Sequence, residues 1–241
     1  MENVSLKQVD ILFNDLDIKT NERTCLRMAK YVNMLIKGMS KCRLTGETTG
    51  QGIIEKQIYD SLYPLKYLNL EREKSLIDLG TGGGLPGIPI KIIRPDLIVT
   101  LLDSNRKKTL FLKETINALG LEKTFVVNKR AEEIGQEFEH REKYNYVFCK
   151  AVAKMAVLAE LALPLLTSGG EAVFYKGPGG EGELEKAEQA IAICGGVLRK
   201  VEQYTLKTGE ERKLYIIRKT NNTPMKYPRK PGMPAKKPLT G

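Results

Sequence analysis

Asp78-Leu79-Gly80-Thr81-Gly82-Gly83-Gly84-Leu85-Pro86-Gly87 is the stretch of this chain best suited to chemistry. It follows an apolar run and opens a helical one, and glycines at such a junction let backbone N–H groups approach a ligand that side chains would obstruct. Asp103 ends the next apolar run, at the separation where a carboxylate can hold the two hydroxyls of a ribose. Together they describe a site for an adenosine-containing cofactor. A nicotinamide site usually reads Gly-x-Gly-x-x-Gly. Here Asp78 stands two positions before the first glycine of Gly80-x-Gly82-x-Gly84, the pattern of S-adenosyl-L-methionine enzymes, so that cofactor is expected. Asp78, Gly80, Gly82, Gly84, Leu85 and Asp103 are its candidate ligands.

The acceptor is narrowed by the residues that are missing. There is no Asp/Asn-Pro-Pro-aromatic turn after the fourth apolar run, as methylases of exocyclic amines commonly carry. Cys149 has no preceding proline and reads as a small core residue rather than a nucleophile. His140, within Glu139-His140-Arg141-Glu142, reads as a solvated loop residue. Neither a base nor a nucleophile stands out, which suits an acceptor needing neither. The 7-nitrogen of guanine has an in-plane lone pair and no proton, so positioning alone can carry the rate. Lys150, ending the fourth apolar run, and Lys154, one turn later, are the candidate catalytic cations beside a guanine carbonyl. The four cysteines show no metal spacing, and no metal is expected.

The elements that must position these residues alternate. Strands are expected at Ser75–Leu79, Leu97–Asp103, Thr124–Val127, Tyr146–Lys150 and Glu171–Tyr175, with helices beginning at Pro89 and covering Lys107–Leu119, Ala156–Leu166 and Glu183–Ile193. Val197–Thr205 and Lys213–Arg218 read as an antiparallel pair. The pattern is α/β, a doubly wound Rossmann-like sheet. Residues 1–72 form an N-terminal helical cap, with one helix over Leu6–Leu16, a second starting at Asn21 and stopping at Gly38, and a third over Ile54–Tyr67. The methyltransferase domain is expected at 73–220. A basic tail at 221–241, with five prolines in its last eighteen residues, reads as neither helix nor strand.

The chain has 241 residues and a formal charge of +10, which favours polyanion partners through counterion release. The tail holds Lys226, Arg229, Lys230, Lys236 and Lys237 and no acid; it either meets RNA or packs on the domain. If it meets RNA, deleting it flattens the salt dependence of RNA binding and spares the cofactor. No run reaches membrane-spanning length and no leader peptide is evident, so a cytoplasmic protein is expected, with no need for more than a monomer.

These residues resemble the RsmG family, the bacterial small-subunit rRNA guanine-N(7) methyltransferases once called glucose-inhibited division protein B. The resemblance rests on Tyr59-Asp60-Ser61-Leu62, the 78–87 turn, Val99 to Ser104, Arg130-Ala131-Glu132-Glu133, Ala151-Val152-Ala153 and, most specifically, Lys226-Tyr227-Pro228-Arg229-Lys230. It implies a Rossmann-like class I S-adenosylmethionine-dependent methyltransferase sheet of seven strands behind an N-terminal helical cap, and methylation of the 7-nitrogen of one guanine in 16S rRNA, with rRNA and the small ribosomal subunit as partners. It also implies cofactor contacts at Gly80, Leu85, Asp103, Ser104, Ala131, Glu132 and Lys150. Lys150 and Lys154 stand where the family usually has arginines, and lysine cannot reproduce a planar fork. Gln57 replaces a common histidine. Two other readings remain open at this point: an inactive ribosome-associated factor that binds S-adenosylmethionine, and a methyltransferase acting on another RNA.

Overall fold

The computed structural model describes residues 4–240, and of Glu181 only the backbone. Its centre is one seven-stranded sheet in the order β3-β2-β1-β4-β5-β7-β6. The strands are β1 (Ser75–Leu79), β2 (Ile98–Leu102), β3 (Thr124–Val127), β4 (Tyr144–Lys150), β5 (Leu166–Lys176), β6 (Gly196–Thr205) and β7 (Glu211–Lys219). The first five are parallel; β7 runs antiparallel between β5 and β6. The expected terminal pairing of two strands is thus present, and its second strand is the one inserted beside β5. Leu214, Ile216 and Ile217 are buried, which suits the more interior position.

Helices cover both faces. On one lie α1 (Leu6–Asp15), α2 (Glu22–Gly38), α5 (Gly87–Ile93) and α6 (Arg106–Leu119); on the other lie α7 (Ala131–Ile134), α8 (Met155–Ala162) and α9 (Gly180–Ile193). Local signals account for their ends. The Asn21 carboxamide accepts from the Thr24 N–H at 3.0 Å, capping α2, and Gly120 takes a left-handed φ of +59° after α6. The apolar run after β4 stays α-helical only to Ala162, because Pro164 lacks an N–H; a 3-10 turn follows over Leu163–Leu165. Gly38 does end α2, but for packing: a Cβ there would stand 2.7 Å from the Phe111 ring.

The third N-terminal helix is longer and less regular than expected. It runs as α3 (Gly50–Gly52), a π-helical stretch (Ile53–Ile58), α4 (Tyr59–Leu62) and a 3-10 turn (Tyr63–Lys66). The tail is ordered against the second face. It contains one helical turn, α10 (Met233–Lys236), despite its prolines, since Pro234 sits in the first turn where its missing N–H costs nothing. Gly241 lies outside the described residues. No described helix is long and apolar enough to cross a membrane.

Candidate functional site

A cavity of about 340 Å³ opens at the C-terminal edge of the sheet, beside the ends of β1 and β2. Gly80, Asp103, Ser104, Ala131 and Glu132 all line it, five of the residues expected at the cofactor. Its apolar wall comes from Leu79, Leu102, Val152, Val157 and Leu161.

The glycine turn is held to the sheet by its own backbone. The Gly80 and Thr81 N–H groups donate to the Leu102 carbonyl at 2.9 and 3.0 Å. Gly80 has φ +72°, and a Cβ would stand 2.8 Å from Val152 Cγ2, so any side chain there would push on the cavity wall. Asp103 is nearly buried. Its Oδ2 accepts from the Gly82 N–H at 2.9 Å and its Oδ1 from the Asn105 N–H at 2.8 Å. Each oxygen keeps acceptor capacity, and the two bonds fix the carboxylate plane.

Asp78 lies under the turn and does not line the cavity. Its carboxylate is fully buried; Oδ2 accepts from the Gly87 N–H at 2.7 Å and from the Thr81 hydroxyl, so it joins the two ends of the turn. Its Oδ1 has no hydrogen-bond partner. Burial pushes its pKa up to about 7, against the lowering effect of Thr81, Gly87 and the Lys150 charge. Gly82, Gly84 and Leu85 likewise shape the turn rather than the wall. Gly84, at φ +102°, leaves room for Ile88, and Leu85 is buried in the core.

Lys150 points away from the cavity lining, toward the N-terminal helices. It donates to the Gln57 carbonyl at 3.1 Å and the Gln57 side-chain oxygen at 2.9 Å, and pairs with Asp60 at 3.1 Å. Strand alternation places it on the same face as Asp78 and Phe148. Asp60 also accepts from the Tyr204 hydroxyl, and burial beside that carboxylate drives the Tyr204 pKa upward. Lys154 is exposed at the N-cap of α8. Between the two lysines, Ala151 adopts φ +57°, an unfavourable region for a residue with a Cβ. Lys176 holds this loop through the Ala153 carbonyl at 2.7 Å and through Glu183, whose carboxylate also accepts the Met155 N–H at 2.8 Å.

Sequence reasoning missed two groups. The Lys176–Glu183 bracket comes from residues with no shared motif. The tail contributes Ala235 to the cavity wall, while the Gly232 N–H donates to Glu132 at 2.9 Å. The tail is tied down by Arg229 on the fully buried Glu160, and by Arg141 on the Thr223 and Tyr227 carbonyls, each at 2.7 Å. The tail packs on the domain and leaves Lys226, Lys230, Lys236 and Lys237 exposed. The Cys149 thiol is fully buried, as a core residue should be, and its pKa is raised by that burial; His140, expected to be solvated, is instead half-buried, stacks on Tyr144 and bonds its hydroxyl at 2.7 Å. Among the described residues no cluster of His, Cys, Asp and Glu could hold a metal.

A family model described as GidB, rRNA small subunit methyltransferase G, matches residues 24–215. The "Ribosomal RNA small subunit methyltransferase G" of Desulforamulus reducens is 41% identical over 237 residues, 98% of each chain. Among solved structures, TrmN from Thermus thermophilus aligns with a TM-score of 0.55 at 16% identity, over 69% of this chain and 53% of that one. TYW2 of M. jannaschii, solved in complex with AdoMet, aligns with a TM-score of 0.53 at 14% identity, over 72% of this chain and 79% of that one. At such identities the structural matches speak for the shared fold alone.

Proposed function

The chain belongs to the rRNA small subunit methyltransferase G family, and from that premise we propose that it methylates the 7-nitrogen of a guanine in 16S rRNA of the small ribosomal subunit. The observation carrying this is the cavity beside the glycine turn, with Asp103 fixed on one side and an apolar wall opposite. Its donor set fits S-adenosylmethionine. Gly80 lacks the Cβ that would crowd Val152, Asp103 offers carboxylate lone pairs to a ribose, and Leu102, Val157 and Leu161 offer apolar contact to an adenine. When bound, the cofactor supplies an electrophilic sulfonium methyl group.

The protein's own contribution is placement. The backbone of the turn is latched to β2 and to Asp78, and Gly80 keeps the cavity beside it clear of a side chain. The strained 151–154 loop, held by Lys176, forms the wall where an acceptor base would meet the cofactor. Guanine N7 needs no base to remove a proton, which agrees with a cavity lined by neither histidine nor cysteine. Lys154, exposed at the N-cap of α8 and next in sequence to the cavity-lining Ala153, is the cation for the guanine carbonyl or a phosphate. Lys150 acts one step back, through Asp60 and Gln57, as a positioning residue.

The test is transfer of labelled methyl from S-adenosylmethionine to unmodified small subunits, followed by nucleoside analysis. Labelled 7-methylguanosine is expected. Label on another nucleoside, or none despite cofactor binding, overturns the assignment. Asp103→Ala should abolish cofactor binding; an unchanged dissociation constant would remove Asp103 from the ribose role.

A further inference from the structure

A second concavity, of about 500 Å³, lies between the C-terminal end of α2 and the first half of α6. We propose that it seats one nucleotide of the substrate RNA next to the base that is modified, with its phosphate on Lys37, Lys41 and Lys107 and its base against Leu110 and Phe111. The inference rests on the reading of the chain as an rRNA methyltransferase, and adds where the RNA lies.

Charge is the first argument. Glu114 is the one acidic residue among the described lining residues, against three lysines. Four lysines elsewhere on the surface are ion-paired: Lys56 with Glu210, Lys66 with Asp17, Lys129 with Glu137 and Lys207 with Asp15. Lys37, Lys41 and Lys107 are exposed, and none is in an ion pair with a described residue. Lys107 is flanked by Arg106 and Lys108 in the first turn of α6, which contains no acid. Cations at the positive end of a helix are locally unfavourable, and an anion seated there would offset that.

The apolar floor is the second argument. Leu110 is 51% exposed, and the Phe111 ring is seated deep against α2 because Gly38 has no side chain. An exposed aliphatic side chain beside a half-buried ring, bordered by cations, matches what an unstacked base needs. An apolar peptide would leave the three ammonium groups without counter-charge.

Position is the third. Residue 106, where α6 begins, is three residues beyond Asp103, and the Leu44 carbonyl lies 3.1 Å from where a Gly83 Cβ would be. The groove and the cofactor cavity therefore flank the same glycine turn at the same edge of the sheet. A strand offering a base to the cavity crosses that edge.

The experiment compares the full-length Lys37→Gln/Lys41→Gln/Lys107→Gln variant with wild type and with Lys74→Gln/Lys123→Gln, which removes charge at the opposite edge, before β1 and β3. Affinity for unmodified small subunits is measured against salt, alongside S-adenosylmethionine affinity, thermal unfolding and sedimentation. The groove variant should reduce the log–log salt slope by about 0.7, the contribution of one single-strand phosphate, with cofactor affinity and unfolding unchanged. Leu110→Asp should raise KM for subunits and leave kcat in place. A wild-type slope in the groove variant, an equal loss in the opposite-edge control, or a change only in self-association overturns the proposal. Absence of subunit binding or methyl transfer in the wild type would instead overturn the functional reading beneath it.

Discussion

Arg229→Ala should both destabilise the protein and loosen its cofactor cavity. Glu160 is fully buried, and three donors of Arg229 reach it: the backbone N–H at 2.8 Å, Nε at 2.8 Å and Nη2 at 2.6 Å. Truncation leaves the carboxylate with the backbone donor alone. Removing one partner of a buried pair costs about 3–5 kcal/mol; the Arg229 side chain is 24% exposed, which puts this case at the low end, about 3 kcal/mol. For a chain of this size that lowers Tm by about 6–12 °C. The tail also brings Ala235 into the cavity wall and Gly232 to Glu132, so S-adenosylmethionine binding should weaken by up to about tenfold, the worth of one well-made hydrogen bond. Thermal unfolding and calorimetric titration below both transitions measure the two effects. The double variant Glu160→Leu/Arg229→Met should recover most of the stability, since an apolar pair carries no desolvation penalty. A single variant within about 2 °C of wild type, with unchanged cofactor affinity, would refute the coupling of tail and cavity.

Three further outcomes are expected. Lys150→Met strands the Asp60 carboxylate, 6% exposed in its side chain, and should cost about 3 kcal/mol. Adding Asp60→Asn should restore stability while methyl transfer stays down by about tenfold or more; full recovery of turnover would make Lys150 a structural strut only. Asp78, with a folded pKa of about 7 against an ordinary 3.8, binds more protons folded than unfolded between those values. Native stability should therefore fall as pH rises through that window, with a slope of at most about 1.4 kcal/mol per pH unit. Urea midpoints from pH 4 to 7.5 should lose that slope in Asp78→Asn, and an unaltered profile would count against the assignment. Gly80→Ala, forced into φ +72° and onto Val152, should weaken S-adenosylmethionine binding by about tenfold or more in direct titration.

What the sequence determined by itself was local. The glycine turn, the aspartate closing the second strand and the caps at Asn21 and Gly120 depend on residues a few positions apart, so spacing alone reveals them. Parallel strands buried on both faces appear as apolar runs, and five of these were legible with errors of a few residues. Gly80, Asp103, Ser104, Ala131 and Glu132 were placed at the cofactor site, the last two with Ser104 by family resemblance, and they share one cavity. The tertiary structure decided where the charges went. Lys150 was legible as a lysine at a strand end, but its partners Gln57 and Asp60 lie some ninety residues earlier. Arg229 and Gly232 read as members of a loose basic tail until Glu160 and Glu132 were brought beneath them, about seventy and one hundred residues away in sequence. A buried charge must find a partner or pay desolvation, and which partner the fold supplies is a property of packing that no local spacing encodes.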